Sequence, residues 1–126
     1  MTTKGKDLIP HTVAQMIEAL DEKKAADILL LDMRDIASYT DYILICTATS
    51  STHSNALIDN VEEKVRHDIK PIYRNSSKDK NWLILDYGEV VVHVFNETSR
   101  MYYDLERLWG DAKRIDWAKM GKTSKT

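Results

Sequence analysis

A chain of 126 residues with 43% hydrophobic and 30% charged residues has the size and composition of one domain with one core. Its 18 Lys and Arg against 20 Asp and Glu give a net charge of −2, so no large basic field marks nucleic acid as the main partner. The single cysteine, Cys46, excludes an internal disulfide and a cysteine-based zinc cluster, and no apolar stretch has the length of a signal peptide or a bilayer span, so a cytoplasmic protein without membrane attachment is expected.

Residues 1–9 are polar and expected to be flexible, with one domain from 10 to 112. Pro10 suits a helix start, where its missing N–H has no partner to lose, and Val13, Met16, Ile17 and Leu20 keep an amphipathic spacing to about Lys24. Ile28-Leu29-Leu30-Leu31 is apolar without alternation, as in a central strand covered on both faces. Met33 to Thr40 connects it to a strand from Tyr42 to Ala48, with Asp35 suited to a left-handed turn; the short link makes the two strands antiparallel neighbours. The hydroxyl cluster Thr49-Ser50-Ser51-Thr52 opens a second helix with Leu57, Ile58, Val61 and Val65 as its buried stripe and Ser51 as its expected cap. Free N–H groups at that helix end also suit an anion, but no glycine there lets a ligand approach the backbone, which favours plain capping. Pro71 restricts Ile72-Tyr73 to an edge strand, and Asn75 to Asn81 reads as a polar loop.

Trp82-Leu83-Ile84-Leu85, the turn Tyr87-Gly88-Glu89 and the run from Val90 to Phe95 read as an antiparallel hairpin, with Trp82, Ile84 and Asp86 on one face. Asn96 then suits the cap of a third helix that Gly110 ends. At about 100° per residue, Met101, Leu105 and Leu108 share its core side, whereas Arg100, Tyr103, Glu106 and Arg107 share the solvent side. A tyrosine between two arginines either packs on their stems or belongs to a protein interface. Residues 113–126 form a basic tail, expected to be flexible, in which Ile115, Trp117 and Met120 dock loosely or fold on a partner. The sum is a single α/β domain with a mixed sheet of about five strands and three helices. Three helices leave part of one sheet face open, and Trp82 belongs either to that open part or to the core.

His11, His53, His67 and His93 have no metal-ligand spacing, and no nucleophile elbow, phosphate loop or dinucleotide fingerprint is present, so neither metal nor cofactor is expected. His93, among valines, is expected to be half-buried and hydrogen-bonded. Asp32, Asp41 and Asp86 stand at strand ends, where they are turn residues or else the metal-binding carboxylates of a nucleotidyl-transfer enzyme. The first reading is favoured, because no Asp-x-Asp pair holds two ligands on one strand face.

Lys23-Lys24-Ala25-Ala26-Asp27-Ile28, Leu31-Asp32, Thr40-Asp41-Tyr42, Thr49-Ser50-Ser51, Val61-Glu62-Glu63-Lys64, Trp82-Leu83-Ile84-Leu85-Asp86-Tyr87-Gly88 and Tyr102-Tyr103-Asp104-Leu105-Glu106-Arg107-Leu108-Trp109 together resemble the ribosomal silencing factor family, RsfS or Iojap. The resemblance spans nearly all of residues 11–110. It implies a nucleotidyltransferase-like mixed sheet without transferase activity. It also implies binding of the large ribosomal subunit through ribosomal protein uL14, which blocks joining of the small subunit and represses translation when nutrients run short. Carried over by motif, the partner-binding residues are Trp82, Asp86, Tyr87, Arg100, Tyr103, Glu106 and Arg107. A monomer is implied on the ribosome, a homodimer in isolation being compatible with it, and the basic tail is placed to touch ribosomal RNA at the periphery. The chain departs from the family at Ala48 and Asp35, where glycines are usual, and at Asn96-Glu97, where His-Pro is common.

Overall fold

The computed structural model describes residues 9–36, 38–76, 81–98, 100, 110 and 112–117. Its elements are α1 (His11–Glu22), β1 (Ala26–Asp32), β2 (Tyr42–Ala48), α2 (Ser51–Val65), β3 (Tyr73–Ser76), β4 (Trp82–Asp86), β5 (Val90–Asn96) and β6 (Lys113–Ile115). The strands form one mixed sheet of six in the order β3-β4-β5-β2-β1-β6. All pairings are antiparallel except β2 with β5, which run parallel because α2 and the β3–β4 hairpin intervene between them. Leu29 meets Ile45 and Asp32 meets Tyr42 in the expected β1–β2 pair, and Trp82 meets Phe95 in the expected hairpin.

Both helices lie on one sheet face. Val13, Met16, Ile17 and Leu20 of α1 and Leu57, Ile58, Val61 and Val65 of α2 share a cluster with Leu44, Cys46, Leu83, Leu85, Val92 and Val94. Ion pairs and a side-chain amide hydrogen bond join the helices at their edge, with Lys64 Nζ 2.6 Å from Glu22 and Asn60 Nδ2 donating to the Ala19 carbonyl at 2.8 Å. Arg74 of the edge strand β3 reaches Glu62 and Asp59 of α2, which fastens that edge to the helix layer. The other face carries a smaller cluster of Leu31, Met33, Ile43, Ile45 and Phe95, with Trp82 packed at its side.

Several local expectations are corrected. Pro10 is the N-cap of α1 and not its first helical residue, and the helix ends at Glu22, shortly before Lys24 turns left-handed at φ 61°. Ser50, not Ser51, caps α2, because its extended backbone aims Oγ at the His53 N–H, 3.0 Å away. Asp35 has no positive φ. The loop instead turns through the Ile36 N–H to Met33 carbonyl bond at 3.1 Å, and among the described residues the left-handed non-glycine ones are Lys24 and Asp27. Asp27, at φ 48°, lies where the β1–β2 register shifts, as a bulge requires.

The sheet has six strands rather than about five because Lys113–Ile115, expected within the flexible tail, pairs with β1 through Leu30 to Ile115 and Asp32 to Lys113. Ile115 is buried in the helix-side cluster, and the Trp117 Nε1–H donates to the Ile28 carbonyl at 3.1 Å. Of the third helix, residues 97, 98 and 100 are helical, and the remainder of its expected span lies outside the described residues.

Candidate functional site

Alternation along β4 turns Leu83 and Leu85 to the helices and Trp82, Ile84 and Asp86 to the opposite face, where all three are half-buried. The pairing of β4 with β5 then sets Trp82 across from Phe95, Ile84 across from His93 and Asp86 across from Val91. The Trp82 ring stacks on Phe95 with centroids 5.0 Å apart, and its Nε1–H donates to His93 Nδ1 at 3.0 Å. An indole held by a stack and a hydrogen bond loses little side-chain entropy when a partner covers it, which suits an anchor residue. The Trp82 ring packs on the second cluster while the residue stays half-buried, not fully covered.

His93 is 7% exposed, deeper than the half-buried position expected, and burial lowers its pKa to about 4. The imidazole is neutral, and because Nδ1 accepts from Trp82 its proton sits on Nε2. Asp86 accepts from the Gly88 N–H at 2.7 Å, which closes the hairpin turn. Gly88 is required there, with φ at 88° and Ile72 Cδ1 only 3.0 Å from where a Cβ would stand.

Two residues carried over as partner contacts stand elsewhere. Tyr87 is 4% exposed on the helix side, with its phenol pKa pushed up to about 12 by burial. The alternation that exposes Asp86 turns its neighbour inward. Arg100 is half-buried rather than on a solvent stripe, with Nη1 donating to the Asp27 carbonyl at 2.7 Å and to Thr47 Oγ1 at 2.8 Å. It ties the chain after β5 to the β1 bulge, so it positions that segment. Tyr103, Glu106 and Arg107 lie outside the described residues.

The carboxylates of the enzyme reading do not converge. Asp32 receives Arg34 Nε at 3.0 Å and Nη2 at 2.7 Å, and the guanidinium holds its carboxyl below the usual range. Asp86 stands three strands away on the opposite sheet face, about 14 Å by strand spacing. Among the described residues no group of three or more His, Cys, Asp or Glu side chains is arranged to hold a metal ion. The N-terminus of α2 is used for capping, because Ser50 takes the His53 N–H and the His53 ring accepts the Thr49 N–H at 2.9 Å. Cys46 is buried and its thiol pKa is pushed up to about 12 by desolvation, which makes it a core residue and not a nucleophile. No helix of the described residues is long and apolar enough to cross a membrane.

The family model described as "Ribosomal silencing factor during starvation" matches residues 6–126. The ribosomal silencing factor RsfS of Bacillus subtilis is 39% identical over 99 residues, covering 78% of this chain and 84% of its own. A mouse protein named for mitochondrial assembly of the ribosomal large subunit is 29% identical over 101 residues, covering 77% of this chain and 44% of its own. A crystal structure of a Chromobacterium violaceum protein superposes with a TM-score of 0.75 at 32% identity, covering 79% of this chain and 83% of that one.

Proposed function

The chain belongs to the ribosomal silencing factor family, and from that membership we propose that it represses translation by binding the large ribosomal subunit through ribosomal protein uL14 and sterically blocking association with the small subunit. The observation that carries this reading is the match over residues 6–126, which takes in both the half-exposed β4 face and the C-terminal strand. The mouse relative's name, which speaks of large-subunit assembly, supports the choice of subunit. Trp82 and Asp86 are the proposed contacts on β4, joined by Tyr103, Glu106 and Arg107 from the sequence. Arg100 is proposed as the residue that positions the segment carrying those three, and Tyr87 is withdrawn from the contact set because it is buried. The protein acts as a cytoplasmic monomer on the ribosome, without catalysis, and the lysines beyond β6 meet ribosomal RNA at the periphery.

Such a factor works only while bound. Inhibition should therefore be stoichiometric, and the fraction of subunits unable to join should follow the fraction occupied. A light-scattering titration of subunit joining at several factor-to-subunit ratios, with and without magnesium and nucleotide, tests this. A small amount of factor silencing most subunits, or inhibition that needs nucleotide hydrolysis, would overturn the occlusion reading.

A further inference from the structure

Four large hydrophobic side chains stand exposed among the described residues: Ile36 (47%), Tyr39 (62%), Ile72 (73%) and Tyr73 (52%). Single exposed hydrophobics are ordinary, but these share one place. The register sets Asp32 beside Tyr42, Tyr42 beside Val90, Val91 beside Asp86 and Asp86 beside Tyr73. The β1–β2 loop, the β4–β5 turn and the start of β3 therefore lie at the same end of the sheet. The strip from β3 to the β1–β2 loop spans three to four strand spacings, about 15–20 Å. The opposite end, where β2 enters α2 and β5 ends, exposes no large hydrophobic among the described residues.

The strip is a built surface. The Glu89 carbonyl accepts from both the Asp41 and Tyr42 N–H groups at 3.0 Å, which fastens the hairpin turn to the β1–β2 loop. The Met33 N–H donates to the Asp41 carbonyl at 2.8 Å, and the Ile72 N–H donates to the Asp86 carbonyl at 2.7 Å. Loops cross-bonded in this way present their side chains with little ordering left to do on binding.

Charge selects the kind of partner. Asp35, Asp41 and Glu89 belong to the loops of this end, where Asp35 shares a cavity with Asp32, Arg34 and Lys113 while Asp41 and Glu89 flank the β2–β5 pair. The nearest guanidinium, Arg34, is held by Asp32 and lies 5.4 Å from the centroid of the Tyr42 ring. Lys70 stands before β3 at one margin, and Lys113, at the start of β6, lines the cavity of Asp32, Arg34 and Asp35 at the other, so Asp41 and Glu89 are the acids of the centre. An acidic centre repels phosphate and attracts lysine and arginine.

We propose that this end of the sheet is a second docking surface, for a basic protein surface with an apolar protrusion, and that it meets a lysine- and arginine-rich protein of the large ribosomal subunit. The inference rests on the ribosome-binding reading above and adds to it a contact at the end of the sheet, which borders the Trp82 face at Asp86.

The test is co-sedimentation of the full chain with purified large subunits across a salt series, beside protein-free large-subunit RNA. The variants are Ile36→Ser with Tyr39→Ser, Ile72→Ser with Tyr73→Ser, and Asp35→Asn with Asp41→Asn and Glu89→Gln. Each apolar pair is expected to weaken subunit binding about tenfold with unchanged unfolding, as loss of anchor residues does. If one pair perturbs folding, the other decides. Neutralising the three acids should weaken binding and flatten its salt dependence. Wild-type binding with both apolar pairs unaffected overturns the proposal, and so does tighter binding of the neutralised variant to subunits or to bare RNA, which would make RNA the occupant. A wild-type chain that fails to sediment with subunits overturns the ribosome reading itself, and this inference with it.

Discussion

Lowering the pH should destabilise the fold through His93, and the size of the effect follows from its burial. The folded imidazole titrates at about 4 against an ordinary value of 6.5, because desolvation penalises the cation. With the folded pKa depressed, the unfolded chain takes up the proton first. The contribution is therefore complete above the unfolded value and is lost as pH falls from about 6.5 towards 4. The full span corresponds to roughly 3 kcal/mol. Between about pH 7 and pH 5 the unfolded histidine becomes almost fully protonated while the folded one stays neutral, which makes the loss roughly 2 kcal/mol. For a domain of this size that is a melting shift of roughly 6–10 °C. To isolate the contribution of this one group, the assay is urea unfolding of wild type and His93→Gln at both pH values. Glutamine keeps an acceptor for the Trp82 indole N–H. The variant should lose about 2 kcal/mol less than wild type across the window. Parallel profiles for the two proteins would refute a buried neutral His93.

The C-terminal strand gives a second expectation. Ile115→Ala should cost about 2–4 kcal/mol as a buried truncation, and Trp117→Phe about 1 kcal/mol for the lost bond to the Ile28 carbonyl, so urea midpoints equal to wild type would mean that β6 is not part of the fold. Ser50→Ala should cost about 1 kcal/mol while Ser51→Ala stays near zero, read from thermal unfolding, and the reverse order would move the cap. Tyr103→Ala and Arg107→Glu should each weaken large-subunit binding in co-sedimentation without a change in melting; a loss of several degrees for Tyr103→Ala would put that residue in the core.

What the sequence made legible was local. The β4–β5 hairpin declared itself by alternation around Gly88, and the β1–β2 pair by its short link, because turn chemistry and period-two patterning act over a few residues. The parallel contact of β2 with β5 joins segments with a helix and a hairpin between them, and no local pattern encodes which distant strand will be the neighbour. β6 was missed because three residues, two of them basic, are too few to show a period. Its signal lay instead in Ile115 and Trp117, two apolar residues two positions apart in a polar tail.

The site was partly legible for the same reason. Alternation alone turns Tyr87 to the face of Leu83 and Leu85, so its burial was written in the strand even though the motif carried it over as a contact. Arg100 is different, because helix phase describes where a side chain starts and not where a long one ends. Its guanidinium crosses to the bulge at Asp27, where a left-handed residue turns a carbonyl out of the ladder. That link needs the register slip between Ala26 and Leu29, which exists only once β1 and β2 have paired. Arg100 is thus fastened by an irregularity in a strand more than seventy residues earlier. Removing the bulge should alter partner binding through Arg100 even though no bulge residue belongs to the proposed contact set.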